Sequence, residues 1–143
     1  MLDSIAIARL IPHAGAMCLL AEVSFWDAKV IHCSARSHRE PDNPLAAGGR
    51  LGAACGVEYA AQAMAVHGGL VNRLERRPMA GYLISVRALS LHRPYLDDLD
   101  GDLVVEAEIL AGEGMRMSYR FSLSCLGAPI LDGRAAVLLE APP

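Results

Sequence analysis

Apolar and polar residues alternate most regularly between Met115 and Cys125. The apolar positions are Met117, Tyr119, Phe121, Leu123 and Cys125, and the polar positions between and before them are Arg116, Ser118, Arg120, Ser122 and Ser124. A period of two predicts a strand that buries one face. Three further strands are predicted at about Gly81 to His92, Asp102 to Ala111 and Ile130 to Glu140, separated by turns at Asp97 to Gly101, Gly112 to Gly114 and Gly127 to Pro129.

The first third of the chain predicts a short helix followed by a hairpin. Ser4 can cap a helix that runs to about Leu10, where Pro12 stops it, and we expect this helix to form a lid or plug outside the core. Two extended segments follow, Leu19 to Trp26 and Lys29 to Arg36, joined by Asp27-Ala28. These segments are typical of a β-hairpin.

One long helix is predicted in the middle of the chain. Ser37 to Gly49 contains two prolines and two glycines and is predicted as a loop. Leu51 to His67 is rich in alanine and ends at Gly68-Gly69, where glycine can supply a left-handed cap. An antiparallel sheet of about six strands with one long helix on a single face is an α+β layer architecture. We therefore expect a single domain over residues 1–143 with the hotdog fold, in which a curled sheet wraps around one central helix.

Composition narrows the class of protein. Hydrophobic residues make up 53% of 143 residues and charged residues 20%, so the chain should fold and can hide apolar surface in an oligomer. The formal net charge of -3, with basic residues scattered along the chain, argues against nucleic acid as a partner. The start, Met1 to Ser4, lacks a secretory signal pattern, so we expect a cytoplasmic protein. Glu58, Gln62 and His67 interrupt the long helix, so no membrane span is expected.

Association is expected from the strand edges. Edges as apolar as Val30 to Ala35 or Ala135 to Leu139 favour pairing with a copy or a paralogue. The chain should therefore be at least a dimer. The four cysteines contain no C-x-x-C pair, and the five histidines show no metal-ligand spacing. Reduced thiols are expected, and neither a metal nor another cofactor is implied.

Glu58 is the residue that most clearly suggests chemistry. Between Arg50 and Arg73 it is the one formally charged side chain, so no basic residue one helical turn away can pair with it. At 100° per residue it lies at the edge of the apolar stripe of Val57, Ala61, Met64 and Ala65. We expect it to be half buried, which suits acid or base work near neutrality. A solvated helix glutamate is the alternative, and Gln62 one turn later either orients Glu58 or is an ordinary edge residue.

Two histidines and a glycine cluster complete the candidates. His13 follows the first helix and His38 opens the loop before the long helix, so either could titrate near pH 7 or simply be a hydrogen-bonded histidine. Gly48 to Gly52 leads into the long helix, where free amides at the positive end of the dipole could polarise a carbonyl. The same glycines could equally make a turn.

Several segments resemble one family in order and spacing. Those segments are Ile11-Pro12-His13 with Met17 to Leu20, Glu58-Tyr59-Ala60-Ala61-Gln62, and Arg93-Pro94 before Gly101-Asp102-Leu103. They resemble the beta-hydroxyacyl-ACP dehydratases of fatty-acid synthesis. Ile11 to Leu19, Asn43-Pro44-Leu45 and above all Gly56 to Gly68 look like the dehydratase-like hotdog proteins of bacterial aryl polyene gene clusters.

The resemblance implies an active site between two protomers. A helix carboxylate comes from one protomer and a histidine from the other, and Glu58 and Gln62 fall on the carboxylate and on the glutamine one turn later. The family's histidine stands fourteen residues before the carboxylate, a position occupied here by Pro44 with Asn43 beside it. The expected histidine is missing, so His13, His38 or a histidine-bearing partner subunit would have to replace it.

Three functions remain open on the sequence. The first is a (3R)-hydroxyacyl-thioester dehydratase, or a subunit of one, acting on chains carried by acyl carrier protein (ACP) or CoA in fatty-acid or aryl polyene assembly. The second is a hotdog thioesterase, in which Glu58 activates water. The third is a catalytically incomplete partner in a hetero-oligomer. The catalytic candidates are Glu58, His13 and His38, and the predicted substrate-binding residues are Asn43, Gly52 and Gln62.

Overall fold

The structure is a computed structural model that describes residues 1–11, 17–74, 80–113 and 115–140, with the side chains of 72–74, 80–82, 113 and 139–140 left out. The elements in the described part are β1 (Leu2–Asp3), α1 (Ser4–Ala8), β2 (Glu22–Trp26), β3 (Val30–Ala35), α2 (Gly56–Leu74), β4 (Ala80–Leu91), β5 (Leu103–Glu113), β6 (Arg116–Cys125) and β7 (Ala128–Glu140). Short 3-10 turns lie at Ser37–Arg39 and Ala53–Cys55. No helix among these residues is long and apolar enough to cross a membrane.

The strands form one antiparallel sheet in the order β1-β2-β3-β5-β6-β7-β4, with α2 packed on one face. This confirms the predicted α+β architecture and the hairpin of β2 and β3. The sheet has seven strands because the two-residue β1 pairs with β2, which periodicity cannot detect in so short a segment. The predicted sheet edges, Val30 to Ala35 and Ala135 to Leu139, are wrong, since β3 and β7 lie inside the sheet. The outer strands are β1 and the twelve-residue β4.

The core lies between the sheet and α2. Three of the inward residues of β6 that alternation predicted, Tyr119, Phe121 and Leu123, are each about 1% exposed. Phe121 is paired with Gly133 of β7, and a Cβ on that glycine would lie 2.9 Å from the Phe121 ring. A small residue there lets the aromatic ring lie flat against the next strand.

Both helices differ from the prediction at their ends. The cap of α1 is Asp3, whose carboxylate accepts from the Ala6 amide at 2.9 Å, and not Ser4. Ile7 of α1 is fully buried, so this helix contributes to the core and is not an outer lid. In α2, Gly68 and Gly69 lie within the helix and do not cap it. Gly69 approaches the segment after α1 closely, because a Cβ there would lie 3.4 Å from the carbonyl oxygen of Leu10.

Two places in the sheet have left-handed backbone. The turn between β6 and β7 uses Leu126 and Gly127, with φ of 51° and 81°, which is one residue earlier than the predicted turn. Positive φ at both central residues matches the twist of a two-residue hairpin. In β4 the pairing with β7 shifts register twice, between Leu83 and Ser85 and between Arg87 and Ser90, and Ala88 within the second shift has a φ of 54°.

Candidate functional site

Glu58 lies in the first turn of α2, where a carboxylate interacts favourably with the positive end of the helix dipole. It is exposed in the single chain, so the predicted half-burial is wrong. The reason is the rotation of the helix, which turns the neighbouring Tyr59 and Ala60 into the core and leaves Glu58 outside. No hydrogen bond or ion pair joins its carboxylate to any residue that the structure describes.

The surface beside Glu58 is apolar and only partly covered. Val57, Ala61 and Ala65, three members of the predicted stripe, are half-buried, whereas the fourth, Met64, is fully buried. Glu58 is therefore an open carboxylate at the margin of a strip of small apolar side chains. A surface that packs against this strip would also contact the carboxylate.

Gln62 anchors the segment before β2 and does not orient Glu58. It is 3% exposed, its Oε1 accepts from the Leu19 amide at 2.9 Å, and its Nε2 donates to the Met17 carbonyl at 2.5 Å. Both ends of the side-chain amide are thus used within the chain. The suggestions that Gln62 orients Glu58 or is an ordinary edge residue are both wrong. The substrate-binding role predicted for Gln62 stays a prediction, and both ends of its side-chain amide are already bonded within the chain.

Asn43 belongs to a buried chain of hydrogen bonds that sequence reasoning missed. Its Nδ2 donates to the Tyr59 hydroxyl at 3.1 Å, Tyr59 lies 2.8 Å from the Ser37 hydroxyl, and Ser37 Oγ donates to the Leu19 carbonyl at 2.8 Å. Burial raises the pKa of Tyr59, so the phenol stays protonated and can donate to Ser37. The sequence did contain a signal for this buried network, because Tyr59 directly follows Glu58 in an alanine-rich helix. A lone phenol in such a helix needs a buried partner.

The loop that carries the family's histidine position is fixed by the same side chain. Asn43 Oδ1 accepts from the Leu45 amide at 2.9 Å, and Nδ2 also donates to the Ser37 carbonyl at 2.9 Å. Pro44 lies between these bonds and is exposed. This position has no group that can transfer a proton, although its backbone is held firmly in place.

His38 is buried in the wall of a cavity of about 300 Å³. Asn43, Arg50 and Asp97 also line this cavity, whereas Glu58, Gly52 and Gln62 are not among its lining residues. His38 Nε2 lies 3.2 Å from the Leu99 carbonyl oxygen, and Nδ1 has no hydrogen-bond partner among the described residues. Burial lowers the pKa of His38, so the imidazole is neutral at pH 7. His13 lies outside the described residues.

The glycine stretch before α2 makes a turn, which was the simpler of the two expectations. Gly48 and Gly49 have φ of 59° and 75° and reverse the chain between Ala47 and Arg50. Gly52 caps the 3-10 turn that precedes α2, so it is separated from the first turn of the long helix.

The amides near this turn are mostly occupied. Leu51 N–H donates to the Asp97 carboxylate at 2.8 Å, and Ala53 N–H donates to the Pro94 carbonyl at 2.9 Å. The bond from Leu51, with the Arg50 guanidinium at 2.9 Å, holds the pKa of Asp97 below its usual range. These amides are not free to polarise a carbonyl. No group of three or more His, Cys, Asp or Glu side chains in the described ranges is placed to bind a metal ion.

Comparison with known proteins points to a dehydratase family. The family model "ApeP dehydratase" (ApeP-like) matches residues 5–140, whereas no curated protein sequence matches the chain. The dehydratase heterocomplex ApeI:P from Xenorhabdus doucetiae contains a chain 26% identical to this one, with a TM-score of 0.82 over 96% of this chain and 91% of that one.

More distant structures share the fold. A thioesterase from Haemophilus influenzae is 12% identical, with a TM-score of 0.69 over 99% of this chain and 92% of that one. The E. coli PaaI protein of the phenylacetic acid degradation operon is also 12% identical, with a TM-score of 0.64 over 94% and 88%. Identities this low show a common hotdog fold and no more. The family model, in contrast, covers nearly the whole described chain, and this protein belongs to the ApeP-like dehydratase family.

Proposed function

We propose that this chain is the carboxylate-bearing subunit of a (3R)-hydroxyacyl-thioester dehydratase. Its substrates would be acyl chains carried by ACP in fatty-acid or aryl polyene-type assembly. Glu58 would supply one of the two proton-transfer groups, and a second hotdog subunit would supply the histidine. The substrate and carrier follow from the resemblance of the motif around Glu58, and the partner from the absence of a histidine at position 44.

One observation carries this proposal. Glu58 stands open and unpaired among the described residues at the start of α2, beside an uncovered apolar strip, while the firmly held loop presents Pro44 at the position of the second group. This arrangement supports a site in which this chain supplies one proton-transfer group and a partner supplies the other. A partner that covers the strip would bring its own residues to Glu58.

The reaction requires both groups. A base removes a proton from C2 of the 3-hydroxyacyl thioester, an acid protonates the C3 hydroxyl, and water leaves as the C2–C3 double bond forms. Losing one positioned acid or base typically reduces the rate about a hundredfold to ten-thousandfold. His38 is a poor substitute in this geometry, because it is buried and faces the Leu99 carbonyl. His13 lies outside the described residues, so its substitution is part of the test.

The test is an assay of the isolated chain and of its mixture with a hotdog subunit that carries the histidine motif. A 3-hydroxyacyl thioester is the substrate, and enoyl formation and thiol release are both followed. We expect slow or no dehydration by the isolated chain and fast dehydration by the mixture, with the fast reaction lost in Glu58→Gln. Efficient dehydration by the isolated wild-type chain would refute the need for a partner histidine, and His13→Ala and His38→Ala would then show whether either histidine supplies the second group.

The same assay tests the thioesterase alternative. Thiol release by the isolated chain without enoyl formation would indicate that Glu58 activates water against the thioester carbonyl. Since the amides of Leu51 and Ala53 are already bonded, the turn before α2 offers little stabilisation to an oxyanion. We therefore expect enoyl formation to precede any thiol release.

A further inference from the structure

The outer face of the sheet, opposite α2, carries a row of three arginines that no motif explains. Arg120 of β6 is directly paired with Arg134 of β7, and Arg134 is directly paired with Arg87 of β4. All three are exposed. Directly opposite residues share one face of a sheet, with Cα atoms about 4.5–5.5 Å apart. We call these three residues the arginine row.

The arginine row is poorly neutralised. Glu108 of β5 continues it beyond Arg120, and its carboxylate lies 4.0 Å from the Arg120 guanidinium. Asp132, two residues before Arg134, is bonded to His92 at 2.9 Å. Among the side chains that the structure describes, no acidic group lies within ion-pair distance of Arg87 or Arg134. Like charges directly opposite each other destabilise a sheet, so the row favours a negatively charged neighbour.

The row ends at the strand that is open to a partner. β4 is the outermost strand beyond β7, and no strand in the described part of the chain pairs with its other side. Exposed apolar side chains lie along it, at Leu83, Ile84, Leu89 and Leu91. An unpaired strand of this length and character favours pairing with another strand. The opposite edge, β1, has only two residues.

We propose that the arginine row disfavours self-pairing through β4 and selects a different hotdog subunit, one whose edge strand presents acidic side chains on the same face. Two copies joined by β4 about a two-fold axis perpendicular to the sheet form one continuous sheet with both arginine rows on the same face. A pairing register centred near Arg87 brings the two rows together at the seam. A copy thus places like charges together, whereas an acidic edge strand extends the row with opposite charges. This inference rests on the proposed function, because it concerns how the mixed dehydratase chooses its subunits.

The experiment measures association and not turnover. Sedimentation equilibrium is performed on the wild-type chain, Arg87→Gln, Arg87→Glu and the matched control Arg116→Gln, at ~20 mM and ~300 mM NaCl to vary screening. Arg116 lies on the same face of β6 but is paired with Leu138, so it removes the same charge outside the row. Circular dichroism confirms that each variant is folded.

We expect the wild-type homodimer to tighten as salt is added. At low salt, Arg87→Gln should self-associate roughly threefold to thirtyfold more tightly, since both copies lose a like-charge contact. Arg87→Glu should tighten further, and Arg116→Gln should match the wild type. In mixtures with the histidine-bearing subunit, Arg87→Glu and high salt should both weaken the complex.

Two results would overturn the inference. One is self-association that responds equally to Arg87 and Arg116 substitution, and the other is a mixed complex that salt and Arg87→Glu leave unchanged. If either result is found while the mixture dehydrates normally, the role of the arginine row is contradicted and the proposed function is not. Arginine-dependent association without dehydration would instead contradict the proposed function.

Discussion

Asn43 donates a hydrogen bond across 3.1 Å to the hydroxyl of Tyr59. The bond joins the residue before Pro44 to the residue after Glu58, so the family's histidine loop and its carboxylate helix are held together by one buried contact. The Tyr59 hydroxyl continues the chain to Ser37, which ends on a backbone carbonyl. Hydrogen bonds arranged in series within a low-dielectric interior strengthen one another.

This contact predicts a non-additive pair of stability effects. Asn43→Ala should lower the free energy of unfolding by about 1–3 kcal/mol because it leaves buried partners unsatisfied, and Tyr59→Phe by about 1 kcal/mol. Urea unfolding of both single variants and of the double variant gives the coupling energy. We expect the double variant to lose less stability than the two single losses added together. Strict additivity would show that the two side chains act independently.

Glu58→Gln should separate activity from stability. Because the carboxylate is exposed and unpaired among the described residues, the substitution should change the free energy of unfolding by less than about 0.5 kcal/mol. Dehydration by the mixed complex should fall at least about a hundredfold. The matched control is Glu106→Gln, an exposed glutamate on the outer face of β5, which should retain activity. Full turnover by Glu58→Gln at saturating substrate would make Glu58 a bystander.

Two glycines before and within α2 should respond oppositely to alanine. A Cβ on Gly56 would lie 2.6 Å from Cδ2 of Leu131 and 3.0 Å from Cδ2 of Leu123, so Gly56→Ala should cost about 1–3 kcal/mol through overpacking. A Cβ on Gly52 would meet nothing within 4 Å, and its φ of -67° suits alanine. Thermal unfolding should therefore show that Gly52→Ala is as stable as the wild type or slightly more stable. If Gly52→Ala is stable but its mixture with the histidine-bearing subunit no longer dehydrates the substrate, the result would support the predicted contact of Gly52 with substrate.

Two buried histidines should make the protein sensitive to acid. Burial is the main cause that lowers the pKa of both His38 and His67 from 6.5. His67 Nε2 donates to the Asp27 carbonyl at 2.8 Å, and its Nδ1 accepts from the Tyr119 hydroxyl at 2.8 Å, which holds the neutral imidazole.

Because the pKa values of both histidines are lowered in the folded protein, its stability should decrease as the pH falls. The unfolded chain binds protons on these histidines below pH 6.5, before the folded protein does. The resulting stability is fully present above that pH and is lost as pH falls toward the lowered pKa. Urea unfolding at pH 7.5 and at pH 5.0 should show this decrease, and His67→Gln should reduce its size. Stability that is constant or rises toward pH 5.0 would contradict the prediction.

Local sequence patterns predicted the helices and strands well, because the pattern of each element depends on residues within that element. The alternation in β6 and the alanine-rich run of α2 are complete within one segment, and the structure has both. The positions that failed depend on distant neighbours. Gly69 looked like a helix cap, but its neighbour is Leu10, which follows α1 and lies far away along the chain.

The candidate site was predicted less well for the same reason. An alanine-rich helix has few large side chains to fix its rotation, so the apolar stripe alone did not show that Glu58 points outward. Asn43 and Gln62 were predicted to bind substrate, which stays a prediction, and their buried backbone partners become visible only when the loop and helix meet. The arginine row was hidden because its members come from three strands whose register no single segment reveals.

The two register shifts in β4 also limit what the open edge can do. A regular, flat edge strand would serve as a template for any extended chain and lead to amyloid-like aggregation. Here the bulge at Ala88, with its φ of 54°, bends the strand and interrupts the ladder within the exposed apolar stretch. A peptide in a regular extended conformation cannot pair with β4 along its whole length, whereas a folded subunit whose edge strand has a matching shape can. The irregular backbone of β4 therefore makes this edge a poorer template for fibril growth than a regular strand would be.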